Sequence, residues 1–193
     1  MTAIFTRLPL EDREELAKLV AEHCQALEED LKIVGQREGG GKWGPMDLLA
    51  VDTHGRLVVI DVALQQGDQL LVEGLAHVGW LCRNRHQMAG LVTEQEADLS
   101  LYPRLILVAP DFSAALQEAI GGLGTVAIDL FRFRWLEAGG QKGLLLEPTF
   151  ISSVKEEMKM GPEGSFPSLV EGFVPLAEEE IATFMKMDPR FTL

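Results

Sequence analysis

The chain has 193 residues, of which 47% are hydrophobic and 24% are charged, and its formal net charge is −13. This composition is that of one folded domain and excludes an intrinsically disordered chain. The acidic excess also argues against nucleic-acid binding over the whole surface. Affinity for nucleic acid comes largely from Lys and Arg side chains that neutralise phosphates. Any such binding would require a local basic patch.

No apolar run approaches the roughly 20 residues that a membrane-spanning helix requires. The first residues, MTAIFTRLPLEDREEL, turn acidic too early for a secretory signal peptide. The two cysteines, Cys24 and Cys82, are far apart and form no C-x-x-C pair, so neither a disulfide framework nor a zinc site is expected. We therefore expect a cytoplasmic protein with no membrane partner.

The first part of the chain predicts a helix followed by three strands. Residues 11–30 carry apolar side chains at three- and four-residue spacing and acidic residues in the first turn, which is typical of an amphipathic helix. The strands are expected at 31–37, 46–52 and 56–64, separated by a glycine-rich turn at 39–44 and a second turn at 53–55. The third strand is apolar on both faces, which indicates the centre of a sheet.

The second part alternates helices and strands. We predict a helix at 68–88 with Asp68 as N-cap, a strand at 104–110, a helix at 112–122 capped by Asp111, and a strand pair at 125–136 and 143–150. The order predicts an α/β fold, with a mixed β-sheet flanked by helices, over residues 1–150. Residues 151–193 combine helical patterns with a Pro/Gly stretch. They predict a C-terminal helical appendage that covers the core or contacts another subunit.

Two aspartates carry the chemical interest of the sequence. Asp47 lies near the start of the second predicted strand, and Asp61 lies near the end of the third. Since a short turn makes these strands antiparallel, we expect the two carboxylates to lie close together. Paired carboxylates suit a hard divalent cation such as Mg²⁺, and the carbonyl of Val62 could add a third oxygen. Such an ion could activate a water and offset charge on a phosphodiester.

The run GPMDLLAVDTHGRLVVIDVAL at 44–64, preceded by a helix and a strand, resembles the core of the PD-(D/E)xK nucleases, most closely the RecB-type and related repair or restriction enzymes. The resemblance covers about residues 11–110. It implies a restriction-endonuclease-like sheet with Mg²⁺ or Mn²⁺ held by Asp47 and Asp61. The family often adds a Glu from the preceding helix, for which Glu28 is preferred over Glu29, and a Gln early in the following helix, matched by Gln69.

The sequence departs from that family at its lysine. The position two residues after Asp61 is Ala63, which has neither a charge nor a donor with which to orient a water. Removing one such electrostatic stabiliser costs about 10²–10³ in rate, by analogy with an oxyanion-hole donor. The neighbouring Gln65 and Gln66 are neutral, and a lysine or arginine from elsewhere could substitute only if the fold brings it close. The candidates are Lys32, Arg37 and Lys42.

Several other polar residues have a simpler structural interpretation. Asp52 is expected to be a turn residue, and His23 and His77 are expected to pack within helices. His86, with Arg83 and Arg85, forms either a solvated helix end or a phosphate contact. Arg132 and Arg134 alternate with Phe131, Phe133 and Trp135, so one strand face would be basic and the other aromatic. We favour core packing of the aromatics, with a nucleic-acid-facing strand as the alternative.

Three functional hypotheses follow. The first is a metal-dependent phosphodiesterase, an endo- or exonuclease that acts on DNA or RNA. The second is a catalytically inactive relative kept as a binding module or as an oligomeric assembly module, such as a homo-oligomer, which Ala63 and the net charge favour. The third is an unrelated α/β protein. A lysine amine within about 5 Å of both carboxylates would favour catalysis, whereas carboxylates on opposite sides of the sheet would exclude the nuclease mechanism.

Overall fold

The computed structural model describes residues 5–92, 97–123 and 126–152. These residues form a seven-stranded β-sheet with helices on both faces. The strands are β1 (Thr6–Arg7), β2 (Lys32–Glu38), β3 (Met46–Val51), β4 (Leu57–Val62), β5 (Arg104–Ala109), β6 (Ile128–Ala138) and β7 (Gln141–Phe150). The helices are α1 (Arg13–Glu22), α2 (Leu70–Met88) and α3 (Ala114–Gly121). The predicted fold class, a mixed sheet flanked by helices, is confirmed.

The strand order is β1-β6-β5-β4-β3-β2, and β7 pairs with β6. Strands β2, β3 and β4 form the predicted antiparallel meander, whereas β4, β5 and β6 run parallel. The carboxyl ends of these three parallel strands and the start of β3 therefore share one edge, which we name the carboxyl edge. The opposite edge, where β5 and β6 begin and β3 ends, we name the amino edge.

Two apolar layers hold the helices on the sheet. Helices α2 and α3 pack on one face against a core that includes Leu49, Val59 and Leu107. Helix α1 packs on the other face through Leu16, Ala17 and Val20. Both β3 and β4 are buried at every position. This burial explains why their sequences are continuously apolar and why an aspartate inside either strand needs a polar partner.

Several element boundaries differ from the sequence predictions. Helix α1 ends at Glu22, not near residue 30, because a 3₁₀ turn at Cys24–Ala26 and a positive φ of 63° at Asp30 redirect the chain. Asp68 does not cap α2; it lies in the preceding 3₁₀ turn and accepts from the Ser113 amide at 3.0 Å. The N-cap of α3 is Ser113, whose side chain accepts from the Leu116 amide at 3.1 Å, and not Asp111.

The β6–β7 hairpin closes on two glycines. Gly139 and Gly140 have φ values of 59° and 82°, which a two-residue hairpin turn requires at both central positions. The turn is therefore tighter than the polar connection predicted from the sequence. Strand β7 ends at Phe150, and the Ser152 amide donates to Asp129 Oδ1 at 2.8 Å. The predicted appendage beyond this point lies outside the described residues.

Two further expectations concern cysteines and membranes. Cys24 and Cys82 are both free, and Cys82 is buried in α2. Within the described part of the chain, no helix is both long and apolar enough to cross a bilayer.

Candidate functional site

The two aspartates meet at the carboxyl edge. Asp47 is the second residue of β3 and Asp61 the penultimate residue of β4, one step beyond the paired residues Leu48 and Ile60. The Asp47 amide donates to Asp61 Oδ1 at 3.3 Å. Asp47 is 7% exposed and Asp61 is fully buried. The convergence expected from the antiparallel turn is therefore present, because a hydrogen bond joins the two residues directly.

Asp47 is bound by an arginine of helix α1. Arg13, the first residue of α1, places Nε 3.1 Å from Oδ1 and 3.0 Å from Oδ2 of Asp47, and Nη2 2.8 Å from Oδ2. The Val62 amide donates to the same Oδ2 at 2.8 Å. Burial raises the pKa of Asp47, and the like charge of Asp61 adds to this. These effects outweigh the bonds from Arg13 and Val62, so the net pKa of Asp47 is raised.

Asp61 is sealed by a histidine from α2. His77 Nδ1 lies 2.8 Å from Asp61 Oδ2, and the two side chains are 2% and 0% exposed. Because an ionised carboxylate can only accept, Nδ1 must carry the proton that it donates. Burial alone lowers the pKa of His77, but Asp61, the Trp43 backbone and Asp47 together raise it above its ordinary value. The other ring nitrogen, Nε2, is buried, and within the described part of the chain no group lies at hydrogen-bonding distance and angle from it.

A glycine turn closes the site above His77. Gly39, Gly40 and Gly41 have φ values of 58°, 76° and 59°, a conformation that side chains rarely adopt. A Cβ at Gly39 would collide with the ring of Trp80, and a Cβ at Gly40 would lie 3.3 Å from His77. The predicted glycine-rich turn therefore packs closely against α2 and keeps His77 away from solvent.

Two residues of α2 that the sequence analysis did not assign to the site belong to it. Glu73 Oε2 lies 3.7 Å from Arg13 Nη1, and His77 holds Asp61. Gln69, the predicted site residue, is exposed immediately before α2, and no hydrogen bond within the described residues links it to either carboxylate. Glu73 and His77 follow Gln69 at four-residue intervals, so the helical period places them on the same side and could have revealed them.

The expectation that Glu28 supports the aspartate pair is not met. Glu28 lies at the amino edge, where its Oε2 is 2.7 Å from Arg104 Nη1. The same guanidinium contacts Asp52 at 3.2 Å and Asp129 at 2.8 Å. The physical reason is the early end of α1, because the 3₁₀ turn carries the chain toward the start of β5. Asp52 does form the predicted turn, since its Oδ1 accepts the Arg56 amide at 2.9 Å.

Ala63, at the lysine position, and the three candidate substitutes lie in different parts of the fold. Ala63 is partly buried against the α2-side core, and its amide donates to the Val108 carbonyl at 2.9 Å. Lys32 pairs with Val51 at the far end of β3 from Asp47. Arg37 is bonded to Glu14 at 2.7 Å, and Lys42 lies 4.7 Å from the centroid of the Trp43 ring. In the described residues, the permanent cation that contacts the pair is instead Arg13.

A divalent ion does not fit the pair as the residues stand. Asp47 accepts from Arg13 and Val62, and Asp61 accepts from His77 and the Asp47 amide. Across residues 5–92, 97–123 and 126–152, no group of three or more His, Cys, Asp or Glu side chains could hold a metal. Mg²⁺ requires oxygens in near-octahedral geometry. The carboxylate oxygens of the predicted site, those of Asp47 and Asp61, therefore already face N–H donors.

A basic face lies on β6, which β5 separates from the pair on β3 and β4. Arg132 contacts Asp111 at 2.8 Å, and Arg134 contacts Glu147 at 3.1 Å. Arg7 of β1 is the register partner of Leu136 on the same strand. We name Arg7, Arg132 and Arg134 the arginine face. It borders Asp111, which follows the carboxyl end of β5, so it adjoins the carboxyl edge. Phe131 and Phe133 are buried against α1 on the opposite face, as predicted.

A groove continues this surface toward the hairpin. It has a volume of about 680 Å³ and is lined by Phe5, Arg7, Arg134, Leu136 and Leu145 among others. Phe5 is 64% exposed and Leu145 is 41% exposed. The other basic cluster, Arg83, Arg85 and His86, lies in the last turns of α2. This cluster follows His77, the α2 residue that contacts Asp61, by six to nine residues, which is about two turns of helix.

The comparisons with known proteins are distant. No family model matches the chain, and no curated protein matches it. A solved repair endonuclease from Pyrococcus abyssi is 22% identical with a TM-score of 0.42, over 66% of this chain and 49% of that one. EndoMS in complex with dsDNA is 20% identical with a TM-score of 0.40, over 65% of this chain and 47% of that one.

EndoMS in apo form is 18% identical with a TM-score of 0.42, over 63% of this chain and 47% of that one. The chain thus spans about half the length of these solved chains. At this level of identity and TM-score, the similarity supports no conclusion about function, so the strand topology and the geometry of the aspartate pair are interpreted on their own.

The pKa of His77 predicts a pH dependence of stability. Because the pKa is raised above 6.5, the folded state holds the His77 proton more tightly than the unfolded chain does. The resulting stabilisation is fully present below that pH and is lost as the pH rises through the folded pKa. Urea unfolding between about pH 6 and about pH 9 should show falling stability, with a slope of at most about 1.4 kcal/mol per pH unit.

His77→Gln should flatten this pH dependence. His86→Gln should retain it, since His86 is exposed. The raised pKa of Asp47 acts in the same direction, because a folded-state penalty develops as the pH rises above 3.8. The histidine variants separate the two contributions. A wild-type stability that rises over this pH range would contradict the assignment.

Proposed function

We propose that this chain is a nuclease-fold protein that binds nucleic acid without cleaving it, and whose aspartate pair stabilises the fold. One observation carries the proposal. Asp47 and Asp61 adjoin at the strand ends as in the PD-(D/E)xK pattern, yet Ala63 replaces the lysine and both carboxylates are occupied by Arg13 and His77. This arrangement supports an ancestral catalytic site that has become a structural ion-pair network.

The chemistry of hydrolysis explains why such a network would be inactive. Cleavage of a phosphodiester requires an activated water and a cation near the developing charge. Arg13 is positively charged but, with its pKa raised mainly by Asp47 against the opposing effect of burial, it cannot accept a proton. His77 could accept one, but it is 2% exposed beneath the glycine turn. Residual cleavage would require Arg13 to leave Asp47.

The arginine face supports the binding half of the proposal. Arg7, Arg132 and Arg134 lie together beside the carboxyl edge in a chain that is otherwise strongly acidic. Exposed Phe5 next to these arginines offers an aromatic surface on which an unpaired base could stack. The opposing charges of Asp111 and Glu147 make the binding weak and dependent on salt. The favoured ligand is therefore single-stranded DNA or RNA.

An assembly role is the second candidate. The same groove exposes Phe5 at 64% and Leu145 at 41%, and apolar side chains beside arginines are also characteristic of protein interfaces. Light scattering over a range of concentrations distinguishes the two, since a homo-oligomer that buries this groove would hide the arginine face from nucleic acid.

The proposal predicts binding without cleavage. Labelled single- and double-stranded DNA and RNA should remain intact with Mg²⁺ or Mn²⁺, while fluorescence anisotropy detects binding to the single strands. Three phosphate contacts predict a slope of log affinity against log salt of about −2 between about 50 and about 200 mM salt. Replacing both Arg132 and Arg134 with Ala should reduce the slope to about −0.7.

Two matched controls test this result. Arg83→Ala removes an exposed arginine at the far end of α2 and should leave the slope unchanged. Asp61→Asn keeps the shape of the buried carboxylate and serves as the cleavage control. Metal-dependent cleavage by the wild type that Asp61→Asn abolishes would refute the non-cleaving assignment. A wild type that binds none of the four nucleic acids would refute the binding assignment.

A further inference from the structure

The position of Arg13 suggests a specific replacement within the site. Its guanidinium makes three N–H···O contacts of 2.8–3.1 Å to both oxygens of Asp47. Its remaining nitrogen, Nη1, lies 3.7 Å from Glu73 Oε2. The cation therefore lies between a carboxylate of β3 and a carboxylate of α2, while His77 covers Asp61 from the other side.

The charges around Arg13 show what it neutralises. Asp47, Asp61 and Glu73 together supply three negative charges at the carboxyl edge, and Arg13 is the permanent positive charge in contact with two of them. Without it, Asp47 Oδ2 would keep the Val62 amide, while Asp47 Oδ1 and the Glu73 carboxylate would lose their cation beside Asp61. Such a set of carboxylate oxygens is the environment that hard divalent cations select.

We propose that Arg13 is a resident cation that occupies the place of a divalent metal at Asp47 and thereby keeps Mg²⁺ and Mn²⁺ off the aspartate pair. The proposal deepens the proposed function, because it identifies the group that holds the site in its non-cleaving form. It follows from the mismatch between the predicted metal site and the donors that surround the two carboxylates.

Three features make Arg13 a strong competitor for Asp47. The guanidinium matches the carboxylate with a planar, two-nitrogen contact that a single ion in water lacks. Leu16 and Val20 anchor α1 on the sheet and so position Arg13 at the site. Unlike a free ion, Arg13 therefore loses no translational entropy when it pairs with Asp47. The charge of Arg13 is also permanent at any ordinary pH, so deprotonation cannot release Asp47.

The test is a Mn²⁺ titration followed by electron paramagnetic resonance of the free ion. We expect Arg13→Gln to bind Mn²⁺ at least about tenfold more tightly than the wild type, a difference of about 1.4 kcal/mol. Adding Asp47→Asn to Arg13→Gln should abolish the gain. Arg37→Gln is the matched control, because it removes an exposed arginine that pairs with Glu14, and its Mn²⁺ binding should equal that of the wild type.

Two results would overturn the proposal. One is wild-type Mn²⁺ binding that is as tight as in Arg13→Gln and that Asp47→Asn abolishes. The other is an Arg13→Gln variant that gains no affinity. If the variant is too unstable for titration, its thermal midpoint is measured instead. Mn²⁺ should then raise the midpoint of Arg13→Gln and leave that of the wild type unchanged, since a ligand stabilises only the state that it binds.

The outcome is separable from that of the proposed function. A wild type that binds Mn²⁺ at Asp47 but leaves nucleic acid intact would refute the role of Arg13 and leave the non-cleaving assignment standing. A wild type that binds neither Mn²⁺ nor nucleic acid would refute the binding function and support the role of Arg13.

Discussion

Asp61→Ala is expected to lower the free energy of unfolding by about 3–5 kcal/mol, the range for breaking a buried charged pair. Asp61 is fully buried, and its two oxygens accept from His77 Nδ1 and from the Asp47 amide. The substitution would leave both donors buried without an acceptor. Urea denaturation monitored by circular dichroism measures the change directly.

Asp111→Ala is the matched control for this experiment. Asp111 also forms an ion pair near the carboxyl edge, with Arg132 at 2.8 Å, but its side chain is 65% exposed. An exposed pair contributes only about 0–1 kcal/mol, so this variant should be nearly as stable as the wild type. If Asp61→Ala instead matched or exceeded the wild type in stability, Asp61 would be a strained carboxylate retained for chemistry, and the structural assignment would fail.

Replacing Arg104 by Ala should have a comparable effect at the opposite edge of the sheet. Arg104 is 14% exposed and contacts Glu28, Asp52 and Asp129 within 3.2 Å. Burial lowers the pKa of Arg104, but Asp129 and Glu28 more than compensate, so it remains charged. Its removal leaves two nearly buried aspartates without their cation, and we expect a loss of about 3–5 kcal/mol.

An exposed ion pair provides the matched comparison for this loss. Arg134→Ala serves as the control, because Arg134 and Glu147 are 46% and 43% exposed. A loss at Arg104 no larger than that at Arg134 would mean that the cluster contributes little to folding.

Much of the architecture was accessible from the sequence because local patterns determine it. The continuous apolar runs of β3 and β4 predict central strands, and the turn between them brings Asp47 and Asp61 together. The alternation along β6 likewise predicts one aromatic face and one basic face, which the structure confirms. In these cases each residue's side of the sheet follows from the period of two along a strand.

The rest depended on contacts that leave no local signal. Arg13 and Asp47 are 34 residues apart, and Glu28 and Arg104 are 76 residues apart. Neither pairing follows from spacing along the chain. The resemblance places Glu28 near the aspartate pair as a Glu of the preceding helix, which the apolar spacing predicts to continue to residue 30, whereas the helix ends at Glu22. Eight residues of misassigned helix were sufficient to move a carboxylate from one edge of the sheet to the other.

The two ion-pair networks have a joint consequence for α1. Arg13 ties its first turn to β3 and α2, and Glu28, shortly beyond its last turn, ties the following segment to β5. Helix α1 therefore cannot detach from the sheet without breaking the ion pair near each of its ends and its apolar contacts with the sheet. Its detachment is coupled to the opening of the central strands, which makes α1 part of one cooperative folding unit with them.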